Sequence, residues 1–401
     1  MSLLDHAIWW HVYPLGAVGA PIHDRPDHDP GHRLGRLTAW LDYVIELGCS
    51  GLLLGPVFDS TSHGYDTLNH FRIDPRLGDD ADWDAFVAEA HSRGLSIVLD
   101  GVFNHVGINH ALVAEGPEGP VKFSGEHVHG WEGHTDLAEL DHADPRVADL
   151  VTEVMCHWLG RGAAGWRLDV AYAVPPEFWR EVLGRVREQY PEAIFIGEVI
   201  HGDYARIAAD GTLDSVTAYE LWKAIWSSLV DANMWELAHA LERHDQYSRS
   251  LVLQTFIGNH DVTRIANRVG DAGVVPALAV LMTVPGMPSI YYGDEQGYRG
   301  ERLDGYHADD QLRPPLPDTP EQLADAGRWL YRVHQQLIGL RRRHPWLTRG
   351  RIEVVAKDNA WIEYAVTGED QRLDVRIDLE PSPAVRISSG GSRIFEWRYA
   401  G

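Results

Sequence analysis

Short apolar runs alternate along the chain with longer stretches in which apolar positions recur every three or four residues. The short runs cover residues 8–12 (IWWHV), 51–54, 95–99 (LSIVL), 165–168, 194–197 (IFIG), 214–218, 251–257 and 289–292, and they predict strands. The longer stretches cover 35–47, 81–93, 147–159, 177–189, a segment reaching about 244, 273–282 and 321–343, and they predict helices. Apolar strands that each return through a helix predict a parallel sheet. Eight such units over roughly 340 residues predict an α/β fold, a (β/α)8 TIM barrel. A doubly wound open sheet is the competing arrangement, but it rarely needs eight evenly repeated units.

Two segments break the repeat. Residues 106–139 are rich in Gly, His and Pro and lie between the third strand and its helix, too long for an ordinary βα loop. They predict a short inserted domain or lid within a barrel formed by 1–105 and 140–345. From 346 to 401 the texture changes to short strand-like runs at 352–355, 360–365, 373–377, 385–387 and 394–397, which predict a C-terminal β-domain.

Composition narrows the function. Lys and Arg number 35 against 59 Asp and Glu, a net charge of −24, and only Lys122, Lys223 and Lys357 are lysines. Such a chain repels phosphate backbones and anionic lipid, so nucleic acid and membrane surfaces are not expected partners. A neutral substrate is expected instead. The two cysteines, Cys49 and Cys156, form no metal or disulfide pattern and read as small buried apolar residues. The N-terminal MSLLDHAIWWHVYP has no basic leader or cleavage site, and no run approaches the ~20 apolar residues that span a bilayer. A cytoplasmic protein is expected.

In a barrel, the active site lies where strands end. The third strand ends in Asp100, with Asn104 and His105 just beyond. The fourth ends in Arg167-Leu168-Asp169, the fifth in Gly197-Glu198, and the seventh in Asn259-His260-Asp261. Each alone reads as a cap or a polar turn. Converging at one rim, they point to glycoside hydrolysis, acid catalysis or a divalent-metal site.

The segments Asp100-Gly-Val-Phe-Asn104-His105, Gly165-Trp-Arg167-Leu-Asp169, Gly197-Glu198-Val199 and Gly258-Asn259-His260-Asp261 resemble, in order and spacing, the four signature regions of the α-amylase superfamily of retaining glycosidases and transglycosidases. Supporting matches are GLLLGPVF at 51–58, Ser62-His63-Gly64-Tyr65-Asp66, and PGMPSIYYGDE at 285–295. The resemblance implies that Asp169 is the nucleophile, Glu198 the general acid/base and Asp261 the stabiliser of the transition state. It further implies that His105 and His260 bond the sugar next to the scissile bond, with Tyr65 as its platform. Arg167, two residues before Asp169, stands on the same side of its strand and is expected to keep the nucleophile ionised and to help bind substrate. Asp100 is expected to support Arg167. The chemistry needs no cofactor.

In many α-amylases a calcium ion joins the excursion to the barrel, and Asn104 and Asp136 resemble two of its ligands. The other reading is hydrogen-bonded polar residues without metal, since calcium takes six to eight oxygens. His110, His127, His129 and His134 in the excursion fit no zinc spacing and suggest a polar lid. The run GWRLDVA with the later Phe178-Trp179-Arg180 is similar to the neopullulanase and cyclomaltodextrinase group. The resemblance thus implies hydrolysis of α-1,4 bonds in glucose oligosaccharides. A glucosyltransferase or isomerase with a sugar acceptor keeps the same chemistry. A non-catalytic carbohydrate-binding relative is the remaining class, although all three carboxylates are present. Trp131 in the excursion and Tyr298, Arg299, Tyr306 and Arg313 in the loop 297–317 are expected to wall the cleft into a pocket for chain ends. The oligomeric state is not legible.

Overall fold

A computed structural model describes residues 2–23 and 31–400. Eight parallel strands form one sheet: β1 (Trp9–Val12), β2 (Gly51–Leu54), β3 (Ser96–Gly101), β4 (Gly165–Leu168), β5 (Ile194–Gly197), β6 (Ser215–Val216), β7 (Gln254–Phe256) and β8 (Met287–Tyr291). Their order is β6-β5-β4-β3-β2-β1-β8-β7. A parallel bridge from Thr217 to Gln254 joins the two ends and closes the barrel.

The alternation of side chains explains what fills it. Trp9, Leu53, Val98, Ile194, Ile196, Val252 and Met287 form an apolar plug inside the barrel. Trp10, Leu52, Leu99, Trp166 and Phe195 belong to the larger core packed against the helices. Two residues further along, the inward positions turn polar. Trp9 is followed by His11, Val98 by Asp100, and Ile196 by Glu198, all buried. The same pleat that builds the plug therefore builds a polar layer above it.

The helices are α1 (Leu41–Leu47), α2 (Asp80–Ser92), α3 (Pro145–Gly160), α4 (Pro176–Gln189), α5 (Tyr204–Gly211), α6 (Tyr219–Val230), α7 (Met234–Ser248), α8 (Ile265–Thr283) and α9 (Arg328–Arg343), with short α-helical turns at Pro14–Ala17 and Leu34–Thr38. Local chemistry sets their starts. Asp79 caps α2 in a reciprocal box with Asp82, and Asp144 caps α3 ahead of Pro145. The helix expected over 35–47 breaks near Trp40, and α1 ends at Gly48 in the left-handed region. The helix expected from 321 begins only at Arg328. Pro320 starts a separate turn, and a Cβ on Gly327 would lie 2.4 Å from the Gln296 side chain. Close approach to the loop after β8 thus wins over the apolar period. The α8 helix is longer than expected and kinks at Gly270. It is also long and apolar enough to cross a bilayer, contrary to expectation, yet 67% of it is buried in the barrel wall. Its hydropathy reflects packing on the sheet.

A hairpin the periodicity does not reveal, Phe58–Ser60 with Thr67–Ile73, carries Tyr65 to the rim. Rim strands His105–Gly107 and Leu137–Glu139 pair antiparallel, so the excursion leaves and returns at one point. The C-terminal sheet runs β9 (Arg351–Asp358), β10 (Trp361–Gly368), β11 (Gln371–Asp378), β12 (Ala384–Ser389) and β13 (Ser392–Arg398), antiparallel in chain order. It docks through a 2.6 Å hydrogen bond between Tyr364 and Thr283 and through Arg351 on Asp245. Arg341 of α9 donates to the carbonyls of Met282 and Val284, pinning α9 to the end of α8.

Burial sets the acid stability of the fold. It pushes His70 down to about 3 and His105, His110, His244 and His334 down to about 4. The unfolded chain accepts those protons near pH 6.5, so their contribution is present above pH 6.5 and is lost as pH falls toward 4. Burial raises Asp100 and Asp294 to about 6 and Glu295 to about 7. Their contribution runs the other way, complete near pH 4 and lost as pH rises through 6 to 7. More buried histidines are pushed down than carboxyls are pushed up, so the urea midpoint should fall steadily below about pH 6.5. A midpoint that climbs on acidification from pH 8 to 5 would contradict this balance.

Candidate active site

Register brings the rim residues together. In the pairing of β3, β4 and β5, Arg167 stands beside Asp100 on one side and Ile196 on the other, and Leu168 stands beside Gly197. Asp169 and Glu198 are the next residues up their strands. The ladder continues to them, with Asp169 N–H donating to Gly101 O at 3.0 Å and Glu198 N–H to Leu168 O at 2.9 Å. Neighbouring strands lie about 4.8 Å apart, so two carboxyls at this level are close enough for a reaction that retains configuration.

Arg167 is the centre of charge. Its Nη1 lies 2.6 and 2.7 Å from the two oxygens of Asp100 and 3.2 Å from Asp169 Oδ1, and its Nη2 lies 2.6 Å from Glu198 Oε1. It is buried under those carboxylates rather than exposed on the cleft wall. It therefore acts on the carboxyls instead of on a ligand. Burial and the charge of Glu198 push Asp169 well above the usual carboxylate range, with Arg167 pulling down. The expectation that Arg167 alone keeps Asp169 ionised is thus too simple. One guanidinium is divided among three acids, and burial outweighs its share.

Backbone geometry adds a further link. Val170 sits at φ 40°, unusual for a β-branched residue, and its N–H donates to Glu198 Oε2 at 3.0 Å. Glu198 Oε1 accepts from Tyr219 at 3.2 Å, and Tyr219 accepts from Asn259 Nδ2 at 2.8 Å. Glu198 is thereby tied to β4, α6 and the loop after β7.

Asp261 is half-buried at the opposite side. Its Oδ2 lies 3.0 Å from His260 Nε2, and its Oδ1 3.2 Å from Arg313 Nη2. His260 is fully buried, stacked on Tyr65 at 5.5 Å and 9°. Tyr65 donates to Asp100 Oδ2 at 3.0 Å and also contacts His260 Nε2. His260 is neutral, held well below 6.5 by burial and then by Arg167 and Arg313. His105 accepts from Asn104 Nδ2 at 3.2 Å through Nδ1, and its buried Nε2 has no protein partner. Trp131 of the excursion stacks on it at 6.3 Å and 13°.

These groups surround a cleft of about 420 Å³ lined by Tyr65, His105, Trp131, Asp169, Glu198 and Asp261, among others. The predicted residues Asp100, Arg167 and His260 lie one layer below it. Of the loop expected to wall the cleft, Arg302 lines it, while Arg313 is buried beneath Asp261 and Arg299 pairs with Asp271 on the surface. Tyr306 packs on His23 and Tyr298 against Gly293. Trp131 lines the cleft as expected, together with Glu132. Asn104 and Asp136 engage different neighbours. Asn104 is buried on His105, whereas the Asp136 side chain is 56% exposed, 4.0 Å from His134. Among the described residues they offer no shared oxygen cage for calcium.

Sequence reasoning passed over Tyr219, His11 and the grip of Arg313 on Asp261. Tyr219 had a signal, since it follows a predicted strand end directly. The other two had none, because one lies inside a strand and the other far along a loop.

With the geometry in place, comparison with known proteins gives a family. The model for the alpha-amylase catalytic domain matches residues 29–122 and 127–315. Neopullulanase 2 of Thermoactinomyces vulgaris is 32% identical over 415 aligned positions, covering 92% of this chain and 68% of that protein. The cyclomaltodextrinase of Geobacillus thermopakistaniensis is 28% identical, with the same two coverages of 92% and 68%. The cyclic α-maltosyl-(1→6)-maltose hydrolase of Arthrobacter globiformis superposes with a TM-score of 0.81 at 25% identity, covering 95% of this chain and 92% of that one.

The charge balance at the rim is testable by itself. Arg167→Met leaves three buried acids with no cation, so it should cost about 3–5 kcal/mol of stability at pH 7. The cost should shrink toward pH 5, where protons replace the guanidinium. Unchanged stability at pH 7 would show that Arg167 is not the counter-charge.

Proposed function

Because the chain belongs to the α-amylase family of glycoside hydrolases, we propose that it hydrolyses α-1,4 bonds of short glucose oligosaccharides with retention of configuration. The observation that carries the reading is the pairing of Asp169 and Glu198 on neighbouring strands around one arginine. Asp169 attacks the anomeric carbon, forming a C–O bond as the glycosidic C–O bond breaks. Glu198 gives its proton to the leaving oxygen. Water then attacks the same carbon, passes a proton to Glu198, and frees Asp169. The chemistry requires an ionised Asp169 and a protonated Glu198. Arg167 touches both, so its charge favours a state in which one of the two is ionised while the other keeps its proton. Asp261 grips sugar hydroxyls as charge develops, and His105 lines the same cleft. No metal takes part in these steps.

Substrate size follows from the walls. Trp131 and Glu132 stand at one end of the cleft and Arg302 at the rim. A cleft of about 420 Å³ suits a few sugar units. The names of the relatives, cyclomaltodextrinase and a hydrolase of a cyclic maltosyl-maltose, support small glucose oligosaccharides as the substrate class.

Asp169→Asn should lower turnover about a thousandfold or more while the melting temperature stays close to wild type. Glu198→Gln should be severely impaired on maltotriose yet much less so on an activated aryl glucoside, whose leaving group needs little protonation. Equal losses on the two substrates would remove Glu198 from the acid role. Short oligosaccharides should be cleaved much faster than starch, and chelator should leave turnover unchanged. A rapid fall in starch viscosity ahead of small-sugar release would contradict the walled cleft.

A further inference from the structure

Beneath Asp261 lies a buried histidine that the reaction scheme does not use. His11 ends the inward row of β1, directly above the plug residue Trp9, and is 3% exposed. Its Nε2 lies 3.3 Å from Nδ1 of His260, with the rings edge to face at 5.1 Å and 85°. Its Nδ1 is buried with no partner. His260 in turn reaches Asp261 Oδ2 at 3.0 Å and the Tyr65 hydroxyl through Nε2.

Only one assignment of protons satisfies this row. His260 is neutral and so carries one N–H. Its Nε2 faces a carboxylate, which only accepts, and a tyrosine whose own proton goes to Asp100 at 3.0 Å. The proton of His260 must therefore sit on Nε2. Its Nδ1 is left as a lone pair and needs a donor, and the atom facing it is His11 Nε2. If His11 carries its proton on Nε2, its unpartnered Nδ1 is a bare lone pair. The opposite tautomer would bury an unbonded N–H and set two lone pairs against each other, a costlier state. Rigid neighbours prevent an escape. Tyr291 packs on His11 at 5.3 Å, and Arg313 Nε donates to the His260 carbonyl at 3.2 Å.

We propose that His11 is a positioning residue, whose Nε2–H fixes the tautomer of His260 so that the one N–H of His260 sits on Nε2, aimed at Tyr65 with the Asp261 carboxylate 3.0 Å away. The row of donors runs His11 to His260, His260 to Tyr65, and Tyr65 to Asp100. It keeps a donor N–H beside the Asp261 carboxylate and Tyr65 from a layer beneath the cleft. This role rests on the reading of Asp261 as the sugar-gripping stabiliser, but the tautomer itself does not depend on that reading.

The test separates the two. In protein labelled with 15N-histidine, the imidazole signals of His260, identified by their loss in His260→Gln, should show the proton on Nε2 in the wild type. In His11→Met that pattern should be lost, with kcat on maltotriose falling about tenfold and KM changing much less. His11→Gln places an amide N–H at about the same reach, so it should restore the Nε2–H signal and bring kcat back to within about twofold. A proton on Nδ1 of His260 in the wild type overturns the proposal, even if neither variant folds. So does an unchanged His260 tautomer in a folded His11→Met. Failure of a folded His11→Gln to restore the tautomer also overturns it. If maltotriose is not cleaved by the wild type, the function is wrong while the tautomer result still stands or falls alone.

Discussion

One guanidinium holds the centre of this protein. Arg167 lies within 3.2 Å of Asp100, Asp169 and Glu198, in a layer where all four side chains are buried. Three acids cannot be packed so close in low dielectric unless positive charge and protons balance them. The acids are therefore not independent groups. Moving a proton on one changes the cost of charge on the others, and that coupling is what a two-carboxyl mechanism needs. Asp100 never reaches the cleft, yet without it Arg167 would lose two of its three shortest contacts.

The barrel makes this balance cheap to build. Its lower inward positions are apolar and seal the floor, while the next inward positions carry the polar layer. The register of three neighbouring strands decides who meets whom, so no loop has to find its place for the central contacts to form. The outer shell is different. Tyr65 arrives on a hairpin, Trp131 on the excursion and Arg313 on the long loop after β8. These elements set the shape of the cleft around a centre that the strands fix.

That division explains how much was legible in the sequence. Strand and helix alternation announced the barrel, and residues one step beyond predicted strands announced Asp169 and Glu198. Asp100 and Arg167 were found for the same reason, because strand pleat and spacing are local rules. What stayed hidden depended on long-range packing. The start of α9 is set by contact with Gln296, which no periodicity encodes. The strand β6 has only two paired residues, and Tyr219, three positions beyond it, was passed over although it directly follows the predicted run 214–218. The loop 297–317 was read as a wall, yet it turns Arg313 inward beneath Asp261. His11 looked like any histidine within a strand until the fold set His260 opposite it. The share of Arg167 available to Asp169 could not be judged before its other partners were counted.

In the proposed mechanism Asp169, held beside Glu198 by strand register, takes the sugar onto its own oxygen. The most direct measurement is the mass of that bond. Glu198→Gln loaded with α-glucosyl fluoride, whose leaving group needs no acid, should accumulate a glucosyl adduct. Peptide mass spectrometry should place the adduct on the carboxyl of Asp169. An adduct on another carboxyl, or turnover of the fluoride with inverted product and no adduct, would contradict the account.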